Sequence, residues 1–367
     1  VGHIIRNFGL CIDYVYGFTI VTANGSIRKV NRDSPDQKDK DLYWAVLGGS
    51  PGAFGVMTQL VFHPILDEDY PNSTGWTAAV FYKAERMEAV LKICEGFINR
   101  AQNDTALAEG LDLMVTIASV GSLLGVPLPT IIILELECRE KTNSTGQESK
   151  AYGQMKHIIR TFKDTVYSGE KPQEKLQKRL APFGLFHDVV GANLDGESHY
   201  KLSEMSLKFT RKPPLMTKGG RENRRAYNKA SYGSKDKVTP GWSAAFSKLL
   251  EDVFNNREGG KVYCIVQAAV GGGAQTRNGK ANLNAMSHRD AHLHQICLDL
   301  FRDDDEVSIK AAADYQRRFE MEVVNQHQTA HPKIMQQWAT HGDLDMNKKQ
   351  VWEKYIDNPE TYHKLRR

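Results

Sequence analysis

The chain of 367 residues has no C-x-x-C pair, no long apolar run and almost no excess of charge of either sign. Its five cysteines (Cys11, Cys94, Cys138, Cys264 and Cys297) are odd in number and widely spaced, which points to free, mostly buried thiols. No apolar stretch approaches the roughly 20 residues that a membrane helix requires. The strongest candidate, residues 130–134, is stopped by Glu135 and reads as a buried strand. The 48 basic residues against 44 acidic ones leave a net charge of +4, too little for a general nucleic-acid or anionic-membrane role. What remains is an ordinary globular composition, long enough for one large domain or two.

The most informative stretch, residues 41–61, reads DLYWAVLGGSPGAFGVMTQLV. Gly48, Gly49, Gly52 and Gly55 sit between apolar, strand-prone flanks. Glycine lacks a Cβ, so such a run either brings backbone N–H groups close to a ligand or forms a plain turn. Upstream, Gly9 breaks a segment, Asp13 follows, and residues 18–22 form a β-branched run. Ala23-Asn24-Gly25 signals a tight turn before a second strand over 26–30.

Residues 67–72 form a polar, proline-bearing connection and the best domain boundary. Beyond it, strands are predicted over 76–82, 111–118, 130–138, 261–270 and 292–300. Apolar residues recur at helical spacing over 87–98, 152–162 and 242–253, and 307–324 also reads as helix. That order suggests an α+β fold, a mostly antiparallel sheet covered by helices. Residues 218–237 are basic, with Tyr227 and Tyr232 among the cations. Interleaved aromatics and cations suit nucleic acid, but Gly219-Gly220 and Gly233-Ser234 break the segment, so a solvated loop is expected there. Sequons at Asn24, Asn72, Asn103 and Asn143 point to a secreted glycoprotein.

A second stretch follows Gly271-Gly272-Gly273 after a loop: Ser287-His288-Arg289-Asp290-Ala291-His292-Leu293-His294-Gln295. On a strand, His292 and His294 share one face, as a metal pair requires. No further ligand stands at a persuasive spacing. The reading is therefore a polar strand beside a cleft, without a metal.

Together these segments resemble the FAD-linked oxidases of the vanillyl-alcohol-oxidase (PCMH-type) superfamily, in particular the berberine-bridge-enzyme-like branch. Gly2, Arg6, Phe8, Gly9, Leu10 and Asp13 match its GGG-aromatic-G…R-x-aromatic-G-L-x-x-D segment, and Val21, Thr22 and Gly25 its V-T-A-x-G hairpin. Asp41, Leu42, Trp44, Gly48, Gly49, Phe54, Gly55, Val56 and Thr58 match its glycine stretch, with Ser50 and Pro51 where glycines are usual. His288-Arg289 matches a P-H-R segment, with Ser287 in place of the proline. The resemblance implies the second lobe of a PCMH-type FAD-binding domain over 1–65, a substrate-binding domain over 66–330 and a tail, 331–367, that returns to the first domain. It also implies that the chain starts inside the FAD domain. The residues that bond covalently to the flavin, and an N-terminal segment needed for the full FAD site, would lie upstream of Val1.

The activity so implied is hydride transfer from a small organic substrate (an alcohol, sugar or alkaloid-like molecule) to FAD and then to oxygen. FAD contacts would fall on Gly2, His3, Gly9, Leu10, Gly55 and Val56, and the substrate pocket on His292 and His294. Gln295 stands where several members carry a glutamate base; an amide orients a substrate but takes up no proton at neutral pH. His341, in Thr340-His341-Gly342-Asp343-Leu344-Asp345-Met346, stands where the family's N-Y-x-D-x-D-L tyrosine sits. Imidazole titrates near neutrality, so His341 suits the base role. Trp352, Tyr355, Tyr362 and Leu365 fit the closing helical stretch as packing residues. The two departures leave open a flavin-fold pseudoenzyme, a non-redox cyclase, or a structural component without flavin. The fragment alone is expected to be inactive.

Overall fold

The computed structural model describes residues 4–49, 53–81, 83–101, 110–118, 130–167, 195–198, 225–234, 238–280, 283–287, 289, 293–326, 336–337, 353, 356 and 359–366. The chain opens with a single helical turn, α1 (Ile5–Phe8), which Gly9 ends at φ 87°. Strands β1 (Val15–Val21) and β2 (Ile27–Asn31) then pair antiparallel around a turn where Gly25 takes φ 80°. Helix α2 (Gln37–Val46) starts at Asp36, whose carboxylate accepts the N–H groups of Lys38 and Asp39. Strand β3 (Val56–Phe62) closes a three-stranded sheet in the order β2-β1-β3. Phe18 and Tyr43 stack between sheet and helix at 5.9 Å, and the Tyr43 hydroxyl donates to the Val15 carbonyl at 2.6 Å.

The first flank of the glycine stretch is thus helix, not the strand its apolar residues suggest. The Asp36 cap and one-sided burial of Tyr43 and Ala45 decide it. The glycines make close approaches to the protein's own atoms. A Cβ on Gly48 would sit 2.5 Å from the Met286 nitrogen, and one on Gly49 2.5 Å from the Ala45 carbonyl oxygen and a Leu365 methyl. A Cβ on Gly55 would strike the Val21 carbonyl.

The larger sheet begins with β4 (Thr74–Phe81), is followed by helix α3 (Ala84–Ala101), and continues through β5 (Leu111–Ala118) and β6 (Ile131–Cys138). Next come α4 (Lys150–Phe162), capped by Ser149, then β7 (Asp195–Ser198) and β8 (Arg225–Ser234). Helix α5 (Trp242–Phe254), β9 (Val262–Val270), α6 (Ala274–Gly279) and β10 (Leu293–Arg302) follow. Helix α7 (Glu306–Arg318), capped by Asp305, runs into a π-helical stretch (Phe319–Asn325) before β11 (Gln336–Gln337) and α8 (Pro359–Leu365). The eight strands lie in the order β11-β8-β10-β9-β5-β6-β4-β7, every pair antiparallel. This is the expected α+β architecture.

The sheet's two faces differ, as strand periodicity requires. Leu111, Leu113, Val115 and Ile117 of β5 alternate into a core with Leu134 and Leu136 of β6, Val266 and Ala268 of β9, and the helices α3, α4, α5 and α7. Trp76 meets Phe162 edge-on at 5.4 Å. Each fully buried aliphatic side chain in such a layer contributes about 1.5–3 kcal/mol. Cys11, Cys94, Cys138 and Cys264 form no disulfide; Cys94, Cys138 and Cys264 are buried, whereas Cys11 is exposed. Burial pushes the Cys94 thiol up to about 12 and that of Cys138 up to about 11, so neither is a ready nucleophile.

One expectation is overturned here. Within the segment read as a solvated loop, Arg225–Ser234 is an interior strand paired with β10 along most of its length and with β11 near its end. Its polar composition gave no apolar alternation, so the pairing comes from its neighbours. At the far end of the chain, α8 packs on α2: the Lys364 ammonium lies 3.4 Å from Asp41 and 4.1 Å over the Trp44 ring, and Tyr362 is buried. Among the described residues, no helix is long and apolar enough to cross a membrane.

Candidate functional site

The two sequence motifs meet at Asp13. Its carboxylate accepts the Leu10 N–H at 2.9 Å, the Asn278 amide at 3.2 Å and both arms of the Arg289 guanidinium, at 2.6 and 3.0 Å. Asn278 also donates to the Phe8 carbonyl, at 3.3 Å. Gly9 is held in this knot, since a Cβ there would lie 2.5 Å from the Asn278 amide nitrogen and 2.6 Å from an Asp13 oxygen. Arg289 itself is tied to Asn284 by its guanidinium, and its carbonyl accepts the Thr276 hydroxyl.

Helix α1 is fastened to the large sheet by a second buried carboxylate. Asp112 of β5 accepts the backbone N–H groups of Arg6 (2.8 Å) and Asn7 (3.1 Å), donors that the first turn of a helix leaves unsatisfied. The Arg6 side chain donates to the carbonyls of Leu111 (2.9 Å) and Gly271 (2.5 Å) and lies 4.7 Å over Phe97. Burial lowers the Arg6 guanidinium to about 10, against the opposing pull of Asp112. Burial also raises Asp112 to about 7, although its two amide donors and Arg6 favour the ionised form. Asn7 donates to the Glu137 carbonyl at 3.3 Å, and Arg139 donates to the Asn7 carbonyl at 3.1 Å.

The sheet face away from α3, α4, α5 and α7 is the polar one. Register places Thr77, Glu135, Met114, Ala269 and Gln295 in one row across β4, β6, β5, β9 and β10. Ile133, Thr116 and Gln267 form the next row, and Ile265 lies beyond Gln267 on β9. Thr77, Ile133, Thr116, Gln267 and Ile265 are only half-buried, so this end of the face is open. The other end closes over the Glu137–Asp112 pair, beneath α1. Burial lifts the Glu135 carboxyl to about 8. Glu137 is raised well above the ordinary range by burial first and by Asp112 and Glu135 second. Among the described residues, no group of three or more side chains is placed to hold a metal ion.

The proposed site residues fall unevenly on this frame. Gly9 and Leu10 sit in the Asp13 knot, where their N–H groups are already spent on Ile5 and Asp13. Gly55 leads into β3, the outer strand of the small sheet, and Val56 there is 68 % exposed. His294 and Gln295 lie in β10, with Gln295 in register with Ala269. Gly2, His3, His292 and His341 lie outside the described residues, as do Trp352 and Tyr355. Sequence reasoning passed over Asp112, Glu135 and Glu137. The signal was present in L-D-L at 111–113 and L-E-L-E-C at 134–138, where acids alternate with core residues on predicted strands.

No family model matches the chain. Over 56 residues it is 52 % identical to berberine bridge enzyme-like 12 of Arabidopsis thaliana, a match covering 15 % of this chain and 10 % of that protein. Over 95 residues it is 33 % identical to the FAD-linked oxidoreductase easE of Claviceps purpurea, covering 25 % of this chain and 19 % of that protein. The BBE-like 1 protein of Physcomitrella patens superposes with a TM-score of 0.59 at 17 % identity, over 99 % of this chain and 64 % of that one. The fold is that of the berberine-bridge-enzyme-like FAD-linked oxidases. Xylooligosaccharide oxidase from Myceliophthora thermophila shares it, with a TM-score of 0.59 at 15 % identity over 100 % of this chain and 64 % of that one. Aclacinomycin oxidoreductase gives the same TM-score at 15 % identity, over 99 % of this chain and 68 % of that one. The chain thus spans about two thirds of those solved structures, and its sequence matches cover less than a fifth of the curated relatives named here.

Proposed function

We propose that the chain is part of an FAD-linked oxidase that takes a hydride from a C–H bond of a small organic substrate and passes the electrons to oxygen. The observation that carries this reading is the conjunction of local identity to FAD-linked oxidoreductases with superposition of 99 % of the chain on a BBE-like protein. Bound FAD supplies the hydride acceptor; the protein supplies position and proton transfer. The residues around Gly55 fit such a group. β3 is an edge strand that, among the described residues, borders no other strand on one side, and its Met57, Leu60, Val61 and Phe62 are exposed. Gly55 and Val56 are therefore proposed to lie against FAD, together with Gly2 and His3. Because the N–H groups of Gly9 and Leu10 are engaged internally, that turn would touch the cofactor by shape alone. Further polypeptide upstream of Val1 is proposed to cover the apolar edge, complete the FAD site and carry the covalent link.

The open polar face of the large sheet is the proposed substrate side, and His292 and His294 are proposed to belong to its pocket. Gln295 orients the substrate through its amide, and His341 takes the substrate proton. The boundaries proposed are 1–65 for the FAD-domain part, 66–330 for the substrate domain and 331–367 for the returning tail. Secretion with glycosylation is proposed from the sequons; Asn24, Asn72 and Asn143 lie on exposed segments. The test is anaerobic addition of candidate alcohols, sugars and amines to the full-length protein. Bleaching of the flavin by one of them, slowed about a hundredfold or more in His341→Phe, supports the assignment. A flavin that no member of the panel bleaches counts against an oxidase and favours the cyclase or pseudoenzyme reading.

A further inference from the structure

Between α3 and α4, on the helix-covered side of the large sheet, lies an open cavity of about 480 Å³. Small-molecule sites run from about 300 to 1,000 Å³. The base of this one is apolar: Phe97 and Ile158 line it from buried positions, and Ala89 and Ile93 are half-buried along the α3 wall. Gly96, inside α3, widens it further, since a Cβ there would meet nothing within 4 Å. Glycine in a helix interior is less favourable than alanine, and no close neighbour demands it at this position. Its missing side chain leaves room for a flat molecule to reach the helix backbone. On the opposite wall, α4 runs into a π-helical turn (Lys163–Tyr167), which interrupts regular packing of helix on helix.

The polar groups around the cavity are already engaged. The Thr161 hydroxyl donates to the His157 carbonyl at 3.0 Å, and the Thr165 hydroxyl to the Thr161 carbonyl at 2.6 Å. Lys92 pairs with Glu88 at 3.0 Å, and His157 Nδ1 lies 3.3 Å from the Arg160 guanidinium. Glu85 remains, so the two carboxylates and one ammonium of the lining leave an excess of negative charge. A ligand with few polar groups leaves nothing unsatisfied there, whereas an anion meets charge of its own sign. We propose that this cavity binds an uncharged, flat aromatic molecule, seated on Phe97 and Ile158 with its edge against Gly96. Arg6 lies over the Phe97 ring at 4.7 Å, so the base of the cavity reaches the residue that fastens α1 to the sheet. The site is on the other face of the sheet from the proposed substrate side and needs no flavin, so it stands or falls separately from the oxidase reading.

The test is fluorescence titration of the full-length protein with N-phenyl-1-naphthylamine, which is uncharged, and with 8-anilinonaphthalene-1-sulfonate, the same ring body carrying an anion. The uncharged probe is expected to saturate at one per chain and to bind about tenfold more tightly than the sulfonate. Gly96→Leu fills the cavity from a position with open space around it. It is expected to weaken the uncharged probe about tenfold or more, with a melting temperature equal to or above that of the wild type. Glu85→Lys is expected to narrow the gap between the two probes by strengthening the sulfonate. Absence of saturable binding, equal affinity for the two probes, or full affinity of the uncharged probe in Gly96→Leu overturns the proposal.

Discussion

Arg289 holds Asp13 with two parallel hydrogen bonds, Nη2 to Oδ1 at 2.6 Å and Nη1 to Oδ2 at 3.0 Å, and so joins the small sheet to the entry of β10. Both side chains are largely buried, at 11 % and 8 % exposure, and the geometry is the bidentate one in which a guanidinium matches a carboxylate best. Asp13 also organises the Gly9–Leu10 turn, so the pair ties the proposed cofactor side to the proposed substrate side.

Arg289→Ala leaves the Asp13 carboxylate buried without its cation, which costs about 3 kcal/mol. Urea unfolding should show this loss. The double variant Arg289→Ala with Asp13→Asn should lose less than the sum of the single changes, because the second change removes the stranded charge. Strict additivity would mean that the two residues do not act together.

Gly55→Ala places a methyl against the Val21 carbonyl at φ 144°. Gly25→Ala meets nothing within 4 Å, and only its φ of 80° opposes the change. The first should cost more than about 3 kcal/mol and the second about 1 kcal/mol, read from thermal unfolding. Equal costs would contradict the packing described for the glycine stretch.

Proline at Ala230 or at Ser231 tests the strand that replaced an expected loop. Successive residues of a strand point their N–H groups to opposite edges, so one of the two substitutions removes a ladder bond to β10. At least one variant should lose about 3 kcal/mol in urea. If both are silent, the segment is not an interior strand.

The buried acids set a pH dependence. An ordinary glutamate titrates near 4.5, whereas Glu135 is raised to about 8. Between those values the folded chain keeps a proton that the unfolded chain has released. Stability is therefore fully present below pH 4.5 and is lost as pH rises to about 8. Asp112 and Glu137 act in the same direction. Glu135→Gln should flatten the decline by about 1.4 kcal/mol per pH unit at most, measured by urea midpoints across the range. An unchanged slope would show that Glu135 is ionised in the folded protein.

Much of the fold was legible because its elements are strongly periodic. Leu111–Ala118 and Ile131–Cys138 alternate, and Lys150–Phe162 and Trp242–Phe254 repeat apolar residues every three to four positions. Three things were not legible, each for a tertiary reason. Gln37–Val46 is helical because of a cap and one-sided packing that its apolar residues did not reveal. Arg225–Ser234 has no alternation of its own and is a strand because β10 and β11 border it. The acids at 112, 135 and 137 looked like ordinary polar strand positions, and only the docking of α1 over the sheet shows two of them to be buried together with Arg6. In the candidate site, motif reading singled out Asp13 and Arg289 separately but could not show that residues 276 apart form one ion pair.

Whether the protein carries a flavin is read from the visible absorption spectrum of the freshly purified full-length protein. The protein is expected to be yellow, with about one flavin per chain, and to lose that colour in Gly55→Ala. A colourless, folded protein that releases no flavin on denaturation and gains none on incubation with FAD would contradict it.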